Sequence, residues 1–113
     1  MSLPAVLAST KAQPREETRT RLLPPYHVIL ENDDLHSMDF VIDVLCKVLG
    51  CPVEHAGLLM MEAHTTGRAV IWTGPKEVAE LKAEQVGSFH EIRERDGAKL
   101  GPLGCHVEPA PGA

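Results

Sequence analysis

Apolar and polar positions along the chain sort into a series of short runs set between two unpatterned ends. Tyr26-His27-Val28-Ile29-Leu30 alternates and carries β-branched residues, which predicts a first strand. After an acidic stretch, Ser37 suits a helix N-cap, and Asp39 falls in the first turn, where the helix dipole favours a negative charge. Phe40, Val41, Val44, Leu45 and Val48 then recur at helical spacing until Gly50 stops the run. A second helix starts at Pro52, a good first-turn residue. Val53, Ala56, Met60 and Ala63 form its buried face, and Thr65-Thr66-Gly67 ends it.

Arg68 to Trp72 reads as a second strand, short enough to be buried, and Thr73-Gly74-Pro75 punctuates it. Residues 76–90 make a third helix with Ala79, Ala83 and Val86 on one stripe. Arg93 to Gly104 is polar and glycine-rich, hence a loop, and Cys105-His106-Val107 is a closing strand. The order strand, helix, helix, strand, helix, strand predicts an α+β fold: a three-stranded antiparallel sheet with three helices packed on one face. Residues 1–25, with Pro4, Pro14, Pro24 and Pro25 among mixed charges, read as a flexible N-terminal extension. The folded core is then 26–108, and 109–113 is a disordered tail.

Composition narrows the function classes. At 113 residues one domain is expected, and 43% hydrophobic residues can form its core. Aromatics are only 4%, so aliphatics, alanine and four methionines must do the packing. A formal charge of -5 without a basic stripe argues against nucleic-acid binding. Cys46, Cys51 and Cys105 are odd in number and form no C-x-x-C pair, so free thiols in a reducing cytosol are expected rather than disulfides or a zinc site. With neither a membrane-span run nor a leader pattern, the expectation is a soluble, cytoplasmic protein without cofactor or membrane partner.

The chemistry concentrates in ENDDLHSMDF, residues 31–40. Asn32-Asp33-Asp34 after a strand has two readings. Asx side chains build turns by bonding nearby backbone groups. A carboxylate and an amide oxygen together also accept from a cation, and calcium is disfavoured because the acids lack its alternating spacing. His64 lies on the helix face that carries Met60, either as filler or as a site residue. No nucleophile motif, P-loop or dinucleotide fingerprint is present, and Ser37 is occupied as a cap, so no enzyme activity is expected. Met38, Met60 and Met61 are core filler or the adaptable walls of a hollow. An ammonium acceptor beside such a hollow suits an amino-acid N-terminus, whose α-amino group, with a pKa near 8, is largely protonated at neutral pH.

The stretch PPYHVILENDDLHSMDFVIDVL resembles the ClpS adaptor family, whose pattern runs roughly Y-x-V-I-L-x-N-D-D-x-T-P-M-E-F-V-x-x-V-L. Met60, His64 and Gly67 resemble that family's M-x-x-x-H-x-x-G. Glu77-Val78-Ala79-Glu80 with Lys82 matches its E-V-A-E-x-K, and Leu103, Cys105 and Glu108 echo its closing L-x-C-x-x-E. The resemblance covers about residues 24–108. It implies an adaptor that binds a free, large hydrophobic N-terminal residue (an N-degron) and delivers the substrate protein to the N-terminal domain of a Clp-type AAA+ unfoldase, ClpA or ClpC. Asn32, Asp33, Asp34 and His64 would surround the α-amino group. His36, Met38, Val41, Met60, Ala63 and Leu103 would line the side-chain pocket, with Met38 excluding β-branched residues. Glu77 and Lys82 would face the unfoldase.

There are three departures from the family pattern. His36-Ser37 stands where the family usually has Thr-Pro, and Ala63 replaces a larger branched residue, which implies a roomier pocket. The loop from Arg95 to Gly101 is longer than usual. The alternative is a docking module like the C-terminal domain of the ribosomal stalk protein, which shares only the EVAELKAE helix and lacks the acidic block.

Overall fold

The sheet is organised around its middle strand. In the computed structural model, which describes residues 23–111, β1 (Tyr26–Glu31) lies between β2 (Arg68–Gly74) and β3 (Cys105–Pro109), both antiparallel to it. The helices are α1 (Met38–Leu49), α2 (Val53–Thr66) and α3 (Lys76–Gly87). The element order and the antiparallel three-stranded sheet are as the sequence predicts. Most of the predicted N-terminal extension, and Gly112-Ala113 of the predicted tail, lie outside the described residues.

Local chemistry sets the element ends. The Ser37 hydroxyl accepts from the Phe40 N–H at 3.1 Å and opens α1; Gly50, at φ 66°, closes it in the left-handed region where glycine is least strained. Gly67, at φ 98°, ends α2, and its N–H returns to the Ala63 carbonyl at 2.9 Å. Pro52, predicted as the first helical residue, is instead the extended N-cap of α2, with ψ 158°. The third helix stops three residues short of expectation, at Gly87, where Ser88 N–H turns back to the Gln85 and Val86 carbonyls. The closing strand runs two residues further than predicted, through Glu108 and Pro109. Pro109 faces Tyr26, and Ala110 N–H bonds the Pro25 carbonyl at 3.0 Å.

Burial follows the predicted helix stripes, with Phe40, Val41 and Ala83 only partly buried against the core and Val53 an exception. Val44, Leu45 and Val48 of α1, Ala56, Met60 and Ala63 of α2, and Ala79 and Val86 of α3 are all buried in one cluster with Val28 and Leu30 of the sheet, α1 lying chiefly against the other two helices. Val53, expected in that core, is the first residue of α2 and is 61% exposed. In β1 the apolar alternation does not translate into alternating exposure: Val28, Ile29 and Leu30 are all buried. Val28 and Leu30 turn toward the helices, and Ile29, on the opposite face, lies between Val70 and His106. An Arg68–Glu108 ion pair crosses from β2 to β3 over that central strand, and His106 joins Glu108 at 2.8 Å to Glu31 at 2.9 Å. A register shift in β2 opposite Val28 and Ile29 leaves Ile71 unpaired and lets it join the helix-side core.

These features make two predictions. Leu45 is fully buried in the main cluster, so Leu45→Ala should cost about 2–5 kcal/mol of unfolding free energy. Urea unfolding reads that difference, and a loss below about 1 kcal/mol would mean that α1 is not packed into the core.

The outer-face network should show a pH signature. Hydrogen bonds to Glu108, and secondarily to Glu31, hold His106 above the ordinary imidazole pKa. Arg68, and then His106, holds Glu108 below the usual carboxylate range. The His106 contribution to stability is therefore full below the unfolded imidazole value and fades as pH rises through its raised folded value, while that of Glu108 fades as pH falls through its lowered one. The thermal-midpoint difference between the wild type and His106→Gln should be largest near about pH 5–6 and shrink toward about pH 9, remaining small because these side chains are screened by water. A difference independent of pH would remove the network from the stability of the sheet.

Candidate functional site

The site begins where β1 ends. Glu31 N–H bonds the Gly104 carbonyl at 2.9 Å, and Asn32 N–H bonds the Gly67 carbonyl at 3.0 Å. The end of the central strand is thus held both to the segment entering β3 and to the end of α2. Immediately afterwards Asp33 Oδ1 accepts from Leu35 N–H at 3.1 Å and from His36 N–H at 3.0 Å, the Asx turn anticipated for this stretch. The turn hands the chain to Ser37 and so places Met38 at the start of α1.

His36 is the best-anchored side chain of the turn, only 2% exposed. Its Nδ1 lies 3.0 Å from both Asp33 oxygens, its Nε2 lies 2.7 Å from the Gly101 carbonyl, and its ring stacks on Phe40 at 5.3 Å between centroids. Asp33 Oδ1 is committed to the turn, whereas Oδ2 meets only the His36 ring and retains the capacity to accept a further donor.

A cavity of about 220 Å³ opens beside this turn, lined by Leu30, Glu31, Asn32, Asp33, Asp34, His36, Met38, Val41, Met60, Ala63, His64 and Leu103. It therefore gathers every residue the sequence nominated for the α-amino group (Asn32, Asp33, Asp34, His64) and for the side-chain pocket (His36, Met38, Val41, Met60, Ala63, Leu103). The spacing explains the convergence. Met38 and Val41 lie one turn apart on α1, while Met60, Ala63 and His64 occupy i, i+3 and i+4 of α2. Met60, Ala63 and Leu103 form a buried apolar floor, and Met38, about half exposed, forms its lip. Asn32, Asp34 and His64 are exposed at the other end, and among the described residues their side chains have no hydrogen-bond partner.

Two lining residues were missed, Leu30 and Glu31. Leu30 reads as ordinary strand core, and Glu31 is overshadowed by the Asn-Asp-Asp run behind it. The predicted strand ends at Leu30, whereas in the structure Glu31 is the last residue of β1 and bonds Gly104, a non-local contact. Met61, weighed with Met38 and Met60 as a wall, does not line the cavity and is 42% exposed. Glu77 and Lys82 also lie outside it, on α3. Glu77 is exposed in the first turn, and Lys82 Nζ donates to the Val48 carbonyl at 3.1 Å near the end of α1, a tie that the sequence did not reveal.

The chemistry of the cavity is that of a receptor. Its lining contains no hydroxyl, thiol or amine side chain. It joins a set of carboxylate, amide and imidazole acceptors to an apolar floor, which suits a small group carrying a positive charge next to an apolar side chain. Among the described residues no cluster of three or more His, Cys, Asp or Glu is placed to hold a metal ion, and no helix is long and apolar enough to cross a membrane. Cys46, Cys51 and Cys105 are free thiols. Burial, with a smaller contribution from Glu31, pushes Cys105 up to about 11.

Comparisons with known proteins converge on one family. A family described as ATP-dependent Clp protease adaptor protein ClpS matches residues 22–105. An ATP-dependent Clp protease adapter protein ClpS from Aromatoleum aromaticum is 42% identical over 93 residues, covering 82% of this chain and 85% of that protein. One from Vibrio cholerae is 38% identical over 97 residues, covering 84% and 86%. Among solved structures, Agrobacterium tumefaciens ClpS2 bound to L-phenylalaninamide superposes with a TM-score of 0.63 at 31% identity, covering 77% of this chain and 98% of that one. With its fold, its cavity and these relatives in agreement, the chain belongs to the ClpS family, the adaptor proteins of the ATP-dependent Clp protease.

Proposed function

We propose that the cavity holds the first residue of a substrate protein, and that the chain delivers that protein in the cytoplasm to the N-terminal domain of a Clp-type AAA+ unfoldase, ClpA or ClpC. The observation that carries this reading is the division of one cavity into an exposed acceptor end, at Asn32, Asp33, Asp34 and His64, and a buried apolar floor, at Met60, Ala63 and Leu103. The L-phenylalaninamide bound by Agrobacterium tumefaciens ClpS2 carries the matching groups: an α-ammonium, an apolar side chain on the same carbon, and an amide in place of the next peptide bond.

In this reading the ammonium donates to the Asn32 amide oxygen, to the carboxylates of Asp33 and Asp34, and to a ring nitrogen of His64. The side chain leaves water for the floor, which supplies the non-directional part of the affinity. Met38 and Val41 crowd the first carbon of that side chain at the lip, so β-branched residues are disfavoured. Ala63 leaves room at the bottom and favours Phe, Tyr and Trp over Leu. Glu77, exposed on α3, meets the unfoldase, with Lys82 beside it holding the end of α1. The extension ahead of the core is the segment the unfoldase engages during delivery.

Fluorescence anisotropy with labelled peptides that differ only at residue one tests the reading. A Phe peptide should bind in the micromolar range, roughly -8 kcal/mol, with Tyr and Trp close behind, Leu weaker, and Ile and Gly weaker still. N-acetyl-Phe should be rejected, because acetylation removes the charge and adds bulk. Equal binding of acetylated and free Phe would overturn the N-terminal assignment, and tightest binding of Leu would overturn the role of Ala63. In the protein, Asp34→Ala and His64→Ala should each weaken Phe-peptide binding by about tenfold or more, as expected for hydrogen bonds to a charged group. Unchanged affinity in both variants would place the ammonium elsewhere.

A further inference from the structure

The segment between α3 and β3 is a stapled arm. Leu100 N–H bonds the Glu91 carbonyl at 2.8 Å, Arg93 N–H bonds the Ala98 carbonyl at 2.8 Å, and Ile92 bridges Lys99 in antiparallel register. The Arg93 guanidinium grips the Asp96 carboxylate at 3.0 and 2.7 Å, and Asp96 in turn accepts from Ala98 N–H at 3.1 Å. Gly97, at φ 68°, occupies the tip, where a residue with a Cβ would be strained.

This arm is docked at two points on the two residues between the acidic turn and α1. One is a double contact: Glu91 accepts from Ser37 N–H at 2.9 Å and from the Ser37 hydroxyl at 2.7 Å. The hydroxyl that caps α1 thereby donates its own proton to the arm while accepting from Phe40. The other runs through His36, whose ring bridges Asp33 to the Gly101 carbonyl. An ionised carboxylate and a carbonyl only accept, so this bridge is complete when the ring carries a proton on each nitrogen. Gly101 stands two residues before Leu103, which is 4% exposed and forms a wall of the cavity.

We infer that this arm is a specificity element of the site, and that Glu91 and His36 are positioning residues that fix the Leu103 wall relative to the acidic turn. The inference rests on the reading of the cavity as an N-terminal-residue site. The groups facing the His36 ring are Asp33 from its own turn, the Gly101 carbonyl from the arm and the Phe40 ring from α1. Glu31, Asp34 and His64 share the cavity, and Glu91 is bound to the adjacent Ser37. Glu91 and Gly101 sit on opposite legs of the stapled arm, and with Gly104 already held by Glu31 beyond Leu103, the two contacts together fix the near side of that residue. With both made, the wall is fixed and a side chain must match it; with one lost, the wall adapts to whatever enters. A fixed wall separates ligands that differ by a methylene or in shape by about tenfold or more, and an adaptable wall does not.

The test uses the full chain, the Phe and Leu peptides with their acetylated controls, and hydrogen exchange of the ligand-free protein. Glu91→Ala and His36→Ala should each raise amide exchange in 91–103 while β1, α1 and α2 stay protected. Glu91 lies outside the cavity, so Glu91→Ala should still reject acetyl-Phe, and its Phe-to-Leu affinity ratio should fall by about tenfold toward unity. His36 lines the cavity itself, so its variant is read by exchange alone. Wild-type exchange in the arm of either variant, or a loosened arm with the wild-type Phe-to-Leu ratio in Glu91→Ala, would overturn the inference. If the wild type binds no peptide, the reading of the cavity fails and this inference falls with it. If it binds them and the ratio survives the loosened arm, only the inference falls.

Discussion

Every wall of the binding cavity depends on how the central strand ends. Glu31 and Asn32 donate their backbone N–H groups in opposite directions, one to Gly104 before β3 and the other to Gly67 after α2. That pair of bonds brings together three parts of the chain that are remote in sequence: the acidic turn, the helix carrying Met60 and His64, and the segment carrying Leu103. The strand can do this because it is the middle one, paired along both edges, so its end is fixed laterally before the turn begins. Asp33 then converts the fixed end into a fixed direction by accepting from two successive amides. The turn chemistry and the site chemistry of this stretch are one arrangement, not competing explanations.

The cavity also divides solvent between its two ends. Its carboxylates stay near water, where an ionised acid is tolerated, while Met60, Ala63 and Leu103 are dry. A carboxylate placed on the floor would need a permanent partner or would neutralise, and it would then no longer attract a cation. At the rim the Asp34 carboxylate and the neutral Asn32 amide both stay in contact with water, and Asp33 is half committed to its own turn. Wet and dry ends within one small hollow discriminate for a charge and an apolar group held at a fixed separation.

Much of this was legible in the residues. The apolar stripes of α1 and α3, the caps at Ser37, Gly50 and Gly67, and the acid run are local signals, and the strand and helix order followed from them. The ten nominated cavity residues came from the family pattern more than from periodicity, since spacing alone cannot say that α2 and the Leu103 segment meet the end of β1. What stayed hidden was non-local or set by termini. Val53 obeys the stripe but, as the first residue of its helix, stays exposed. Ile29 belongs to the alternation, yet is buried on the mostly charged outer face, between Val70 and His106 and beneath the crossing Arg68–Glu108 pair. Lys82 enters from the family pattern only as a residue facing the unfoldase, and nothing local shows its tie to the carbonyl of Val48, far away in sequence.

Two departures from the family pattern that look independent in the sequence, the dipeptide His36-Ser37 and the long loop before Leu103, meet in space. Each residue of the dipeptide supplies one half of the loop's attachment, and a proline at 37 would have neither the N–H nor the hydroxyl that Glu91 holds. The structural unit here is accordingly discontinuous. A chimaera that grafts this loop onto a relative, or swaps the dipeptide alone, transfers a hook without its eye. Exchange between relatives is coherent only when residues 36, 37 and 91–101 travel together.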